Sequence, residues 1–245
     1  MPTVAFDILG TLFAFDTVVD ALETHLKFSS KTTAHHFFQT WMWSSLRDYF
    51  ASSHNGPYSQ LMVILRAGLP RTLKVQGYDG DVDEQTVNAV MEAFTRLEAM
   101  PTACEAVKML QEQGNWNIWA ITNGGREATK ELLRRAGMLE AFGGGNNIQS
   151  CDDLLLSKPH PRVYTEFMRT IVRQTKRIEN FYMVATHAWD LAGAKNAAFR
   201  TVFLTTEEKV YIKEAYGNRG PDIEDGTMIG CISQMIELEQ KQALL

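Results

Sequence analysis

Val4-Ala5-Phe6-Asp7-Ile8-Leu9-Gly10-Thr11-Leu12-Phe13 decides how the rest of the chain is read. An apolar run ends at a carboxylate and turns at once through Gly-Thr. A buried strand that stops at Asp7 places that side chain at the carboxyl end of a sheet, where open α/β folds bind their ligands. Asp7 is thereby a candidate nucleophile, with Thr11 four residues on as a hydroxyl donor. Leu9, two residues after Asp7, narrows the chemistry, because a leucine has no proton to give a leaving group.

Outward from that turn, the pattern becomes helical. Thr17 begins an amphipathic segment, Ala34 to Tyr49 is dense in aromatics, and Gln60 to Ala67 and Asp83 to Leu97 supply two more helices. No strand pattern interrupts residues 16–98, so they read as a helical insertion of roughly 80 residues, the size of a small domain. Met100-Pro101-Thr102 reads as a hinge, with Thr102 placed to cap the next helix. Strands and helices then alternate. Helices are expected over Thr102–Gly114, Glu127–Ala136, Pro161–Val172 and Ala188–Ala197, and strands over Trp116–Ile121, Asn147–Ser150, Phe181–Thr186 and Thr201–Leu204. Met228 to Leu245 closes the chain as a helix. Repeated β–α units imply an α/β fold with a doubly wound parallel sheet. The expected division is a core of residues 1–15 and 99–245 carrying a cap of residues 16–98.

Composition sets the outer bounds. The chain has 245 residues, 45% hydrophobic and 22% charged, which suits a globular protein with a full core. A formal net charge of −5 without basic runs argues against nucleic acid or an anionic membrane as partner, leaving a small-molecule substrate. Three scattered cysteines fit a reducing compartment better than a disulfide framework or zinc site. No signal segment opens the chain and no apolar run approaches ~18 residues, so a cytoplasmic location is expected.

Four polar clusters follow predicted strands or their connecting turns: Asp7 with Thr11, Thr122 with Asn123, Lys158, and His187 with Asp190. All should gather at one sheet edge. An ammonium beside Asp7 favours its charged form, hydroxyl and amide donors hold a leaving group or oxyanion, and a second carboxylate orients the lysine or a water. Attack by Asp7 would give an aspartyl ester, which water then opens. His187, with an ordinary pKa near ~6.5, suits a base for that water. Phe37, Phe38, Trp41, Trp43, Tyr49 and Phe50 offer an aromatic surface to a larger apolar substrate, although residues at this spacing usually pack a core. Gly143-Gly144-Gly145 reads as a flexible loop, and His35-His36 lacks metal-ligand spacing.

These clusters make the chain resemble the haloacid dehalogenase (HAD) superfamily along nearly its whole length. Its four motifs stand in order as Phe6-Asp7-Ile8-Leu9-Gly10-Thr11-Leu12, Ile121-Thr122-Asn123-Gly124, Ser157-Lys158-Pro159 and Val184-Ala185-Thr186-His187-Ala188-Trp189-Asp190. The likeness is greatest to the 2-haloacid dehalogenase branch. Lys158-Pro159-His160-Pro161-Arg162-Val163-Tyr164 resembles its third motif and Trp189-Asp190-Leu191-Ala192-Gly193-Ala194-Lys195 its fourth. The resemblance implies Asp7 as nucleophile, Thr11, Thr122 and Asn123 positioning the substrate, Lys158 neutralising charge, and Tyr164 and Asp190 supporting lysine and water. It also implies the helical cap and allows a homodimer.

The departures shape the expectation. Phosphatases of the superfamily carry a general-acid Asp where Leu9 stands and a metal-binding Asp where Thr186 stands. The branch's cap arginine falls on Met42 when the helix is aligned by Trp41, and Arg47 is only a turn or so away. Ala185 and His187 replace a serine and an asparagine. The reading that results is a hydrolase displacing a leaving group at carbon on a small or apolar organic acid, without metal or other cofactor. Leu9, Trp41, Met42 and Tyr164 are its candidate substrate contacts. The alternatives are a phosphatase with Mg²⁺ on Asp7 and Asp190, acting on a phosphate or diphosphate ester of an apolar alcohol, and a HAD-like protein that binds without turnover.

Overall fold

In the computed structural model, which describes residues 1–26, 28, 31–78 and 80–243, Thr3–Phe6 forms the central strand β1, buried at every position. It pairs in parallel with Asn117–Thr122 (β4) on one side and Phe181–Ala185 (β6) on the other. Ile148–Ser150 (β5), Arg200–Leu204 (β7) and Ile223–Asp225 (β8) complete a parallel sheet ordered β5-β4-β1-β6-β7-β8. Because side chains alternate along a strand, β1 divides its residues between two cores. Val4 and Phe6 join Ala103–Gln113 (α5) and Met228–Ala243 (α10) on one face. Ala5 faces Pro161–Thr175 (α8) and Ala188–Asn196 (α9) on the other. A strand covered on both faces must be continuously apolar, and β1 is. The crossovers leaving β1 on opposite sides make its carboxyl end a topological switch point, and Asp7 is the next residue.

Gly10 (φ +79°) makes the turn after β1, a left-handed conformation that costs glycine little. A β-carbon there would lie 3.0 Å from the Phe15 ring and 3.3 Å from His187 Cε1. Two elements missed from sequence follow. Phe13–Ala14 (β2) pairs antiparallel with Glu98–Ala99 (β3), and the Met100 N–H donates to the Leu12 carbonyl, so the two ends of the helical segment are tied together at its base. Strands of two residues have no periodicity to read, and β8 was hidden because only Ile223 of its three residues is buried.

Between them lie Asp16–Leu26 (α1), Lys31–Asn55 (α2), Leu61–Val75 (α3) and Glu84–Ala93 (α4). Two exceed their expected lengths. Helix α3 runs on through Pro70, because Leu69, Thr72 and Leu73 are buried beyond it and their packing outweighs the lost backbone hydrogen bond. Helix α2 continues to Asn55 for the same kind of reason, with Tyr49 fully buried and Phe50 packed against the core cluster. Thr102 precedes α5 but makes no side-chain cap bond, and the expected end of α4 is a 3₁₀ turn, Phe94–Arg96. The three glycines 143–145 close a 3₁₀ turn in left-handed conformations rather than a loose loop. The remaining helices, Arg126–Arg135 (α6) and Cys151–Leu154 (α7), flank β5. The last two residues of the expected C-terminal helix, 244 and 245, lie outside the described residues. Among the described residues no helix is long and apolar enough to cross a membrane.

Helix α9 approaches α8 closely at Gly193, where a β-carbon would come within 2.8 Å of Pro159 Cβ and of the Tyr164 ring and hydroxyl. Gly193→Ala therefore overpacks this contact and is expected to lose about 1–3 kcal/mol in urea unfolding.

Candidate functional site

The parallel register brings the strand ends level. Phe6 pairs with Ala120 on β4 and Val184 on β6, so Asp7, Thr122-Asn123 and Thr186-His187 emerge side by side. Helix α9 begins after His187 and puts Asp190 in its first turn. Lys158 arrives from below, on the segment between α7 and α8, through a cis Lys158–Pro159 bond. Asn123 Oδ1 accepts the Lys158 backbone N–H at 2.9 Å, fixing that approach.

The ammonium of Lys158 is fully buried and lies between two carboxylates, 2.7 Å from Asp7 Oδ1 and 2.5 Å from Asp190 Oδ2, and it also donates to the Ile121 carbonyl. The second oxygens are held as well. Thr11 Oγ1 donates to Asp7 Oδ2 at 2.8 Å, and the Tyr164 hydroxyl donates to Asp190 Oδ1 at 2.6 Å. The Thr186 N–H donates to Thr11 Oγ1, which aims that hydroxyl. Burial opposes ionisation of Asp7, yet the charge of Lys158 and the nearby His187 outweigh it and hold its carboxyl well below the usual range. Lys158 shows the same contest: burial lowers its pKa, and Asp190 and Asp7 raise it above the ordinary lysine value. Asp190 is pushed upward by burial and by Asp7, against the pull of Lys158. Asp7 is the charged, reachable member of the group.

His187 Nδ1 lies 3.6 Å from Asp7 Oδ2, beyond hydrogen-bond reach, and is buried without a partner. Its ring stacks on Trp189 at 5.3 Å. Burial lowers the imidazole pKa, but Asp7, Glu208 and Glu207 together raise it. Glu208 is otherwise engaged, accepting the Ala188 N–H at the start of α9.

Above these groups is a cavity of about 30 Å³. Asp7, Asn123 and His187 are its polar wall, and Leu9, Phe15, Met42, Leu46, Leu61 and Trp189 its apolar one. Met42 and Leu46, one helical turn apart on α2, are the roof. Leu9 and Met42 therefore stand where the sequence placed them, beside Asp7. Trp41 does not reach the cavity: its indole is fully buried in the helical layer and donates to the Leu65 carbonyl at 2.9 Å. Tyr164 is likewise behind the site, on Asp190. Thr122 is fully buried, its hydroxyl accepting the Gly124 N–H in the turn. Of the aromatics on α2, Phe37, Phe38 and Tyr49 are core, whereas Trp43 is 66% exposed. Sequence reasoning gave no role to Phe15, Leu46, Leu61 or Trp189. The spacing of Leu46 from Met42 was the available signal for one of them.

A seam of hydrogen bonds joins α2 and the start of α3 to the sheet edge. Tyr58 donates to Asp152 Oδ1 at 2.6 Å, shares a 2.8 Å contact with the Tyr49 hydroxyl, and Tyr49 donates in turn to the Asn123 carbonyl at 3.4 Å. Ser53 accepts the Ser157 N–H beside Lys158.

The donor set does not suit a hard divalent cation. Mg²⁺ prefers several carboxylate and water oxygens; here Thr186 stands in place of a third carboxylate and an ammonium separates the other two. Among the described residues no cluster of three or more His, Cys, Asp or Glu side chains is placed to hold a metal.

A parallel sheet with an ionised aspartate at its switch point, a buried lysine behind it and a helical layer above defines a class of hydrolase. The chain belongs to the haloacid dehalogenase-like hydrolases, whose family model matches residues 1–198. It is 26% identical to an (S)-2-haloacid dehalogenase of Xanthobacter autotrophicus over 80% of this chain and 72% of that protein. It is 25% identical to haloacetate dehalogenase H-2 of Moraxella sp. (strain B) over 82% of this chain and 84% of the other. Among solved structures, the L-2-haloacid dehalogenase of Xanthobacter autotrophicus with chloropropionic acid covalently bound has a TM-score of 0.75 at 20% identity, covering 96% of this chain and 98% of that one. A magnesium-bound HAD hydrolase of Bacillus subtilis has a TM-score of 0.74 at 15% identity, covering 98% of both. These last two share the fold.

Two outcomes test the site. Trp41→Ala is expected to lose about 3–5 kcal/mol of unfolding free energy, the cost of emptying a core position. In an NMR titration His187 is expected to titrate above 6.5, and Asp7→Asn should lower that value by removing the foremost charge that raises it.

Proposed function

We propose that this hydrolase displaces a leaving group at carbon, Asp7 attacking the halogen-bearing carbon of a small or apolar organic acid. The observation that carries the reading is an ionised carboxylate, held by Lys158 and Thr11, facing a cavity whose other walls are mostly apolar. Such a carboxylate is poorly hydrated, which favours attack on carbon. The carbon–halogen bond breaks with its electron pair going to the departing halide, and an ester forms to Asp7. Water then adds to the Asp7 carbonyl carbon, the ester C–O bond breaks, and a 2-hydroxy acid leaves, with one proton released.

Each neighbour has a place in this sequence. Lys158 stabilises the negative charge that gathers on the Asp7 oxygens as water adds. Asp190 and Tyr164 hold that ammonium in position. With both its oxygens engaged, Asp190 is poorly placed to take a proton, whereas His187 Nδ1 is free and faces Asp7. Esterification removes the Asp7 charge, and with it one of the influences that keep His187 protonated, so the imidazole releases its proton to solvent more readily and is neutral, able to accept one from the attacking water, as the intermediate forms. Asn123 lines the cavity with its carbonyl committed to Lys158, leaving its NH₂ to meet the substrate carboxylate. The helices of residues 16–98 serve as the cap. No step requires a metal. The named activities of the Xanthobacter and Moraxella relatives support the same chemistry.

The phosphatase alternative asks more of these residues. Leu9 has no proton for a leaving alcohol, and Lys158 separates the carboxylates that would share Mg²⁺. Halide and phosphate release, measured with and without EDTA, separates the readings. Halide release from 2-chloropropionate that ignores EDTA and falls at least about a thousandfold in Asp7→Asn is expected. EDTA-sensitive phosphate release would favour the phosphatase, and halide release that survives Asp7→Asn would remove Asp7 from the mechanism.

A further inference from the structure

We propose that the natural substrate carries an aryl or comparably bulky apolar group on its reacting acid, and that this group lies between Trp43 and Phe50 of α2 and Trp189 of α9. The inference rests on the reading of Asp7 given above and adds the substrate class.

The cavity at Asp7, about 30 Å³, has room for one or two waters. Outside it opens a second, larger cleft of about 430 Å³. Leu46, His187 and Trp189 line both, so the two spaces adjoin at these three residues. A molecule whose reacting carbon reaches Asp7 thus has its continuation in the outer cleft. An apolar cavity of ~150 Å³ accepts a benzene ring, and the outer cleft exceeds that comfortably.

The walls of the cleft select an apolar occupant. Trp43, Arg47 and Phe50 recur at helical spacing on α2, giving that side of the helix a stripe directed at the cleft. Trp43 is exposed to 66%, the one aromatic among the large apolar side chains that the described residues leave in solvent. Phe50 meets Trp189 edge to face at 5.0 Å, and Trp189 is backed on its other contact by the stacked His187 ring. An aromatic group entering here would find ring faces and edges already fixed by their neighbours. The charged residues of the cleft are committed elsewhere: Arg47 pairs with Asp48 at 2.9 Å, and Glu208 accepts the Ala188 N–H. A lone exposed tryptophan needs no explanation, but one beside two further aromatics and adjoining a reaction cavity marks a ligand surface.

Binding of non-reacting acids tests this independently of turnover. Calorimetric titration with propionate and 3-phenylpropionate is expected to show the phenyl compound bound at least about tenfold more tightly. Trp43→Ala, a change at an exposed position, should bring the ratio close to one. Equal affinities in the wild type, no measurable binding of 3-phenylpropionate, or a ratio unmoved by Trp43→Ala overturns the proposal. Halide release from 2-chloropropionate and 2-chloro-3-phenylpropionate keeps the two readings apart. Release without a phenyl preference leaves Asp7 its chemistry and removes the aromatic subsite. A phenyl preference in binding without any halide release leaves the subsite and removes the chemistry.

Discussion

The fully buried ammonium of Lys158 is the constraint around which the site is arranged. A charge withdrawn from water is costly unless compensated, and two carboxylates and a backbone carbonyl supply that compensation. The arrangement carries two negative charges to one positive. Its members are therefore unequal: Asp7, which also has Thr11 and the neighbouring His187, stays ionised readily, while Asp190 is raised. Removing Lys158 would leave two buried carboxylates facing each other without a counter-charge, and its contacts also tie β1, β4, the Lys158 segment and α9 together.

This interplay explains what could be read in the chain. The central strand, its terminal carboxylate and the alternating β–α units were legible because burial on two faces demands unbroken apolar runs, and because polar residues at strand ends stand out against them. Motif order then predicted the meeting of Asp7, Lys158 and Asp190. The two-residue β2 and β3 left no such trace, and β8, with only Ile223 of its three residues buried, has no apolar run to read. Nor did sequence separate the aromatics of α2. Trp41 and Trp43 are two positions apart and point in different directions on the helix, one into the packed layer and one into solvent; only the placement of α3 decides which is which. Helix α3 itself outran its expected end at Ala67 and runs on past Pro70, since tertiary burial of Leu69 and Leu73 is a non-local fact.

The departures from the family pattern are grouped in space. Leu9, Met42 and His187 all line the same small cavity, although they come from the β1 turn, α2 and the end of β6. The parts behind the nucleophile, Lys158, Tyr164 and Asp190, match the pattern and are buried. Ala185 and Thr186, also departures, are buried beneath that cavity, so the changes run from the cavity wall into the end of β6, while the lysine, tyrosine and aspartate behind Asp7 are kept. With identities near 26% to relatives of named activity, that contrast is more informative about this hydrolase than the overall similarity.

The seam from Tyr58 and Tyr49 to Asp152 and the Asn123 carbonyl has a kinetic implication. On the proposed reaction, a space sized for one or two waters admits the acid only when Leu46, Trp189 or the helices bearing them give way, and the product leaves by the same loosening. Breathing of the helical layer consequently stands in series with the chemistry. The tyrosine hydroxyls that hold it end on Asn123, the residue whose side chain also accepts the Lys158 N–H, so one residue joins the roof to the base of the nucleophile.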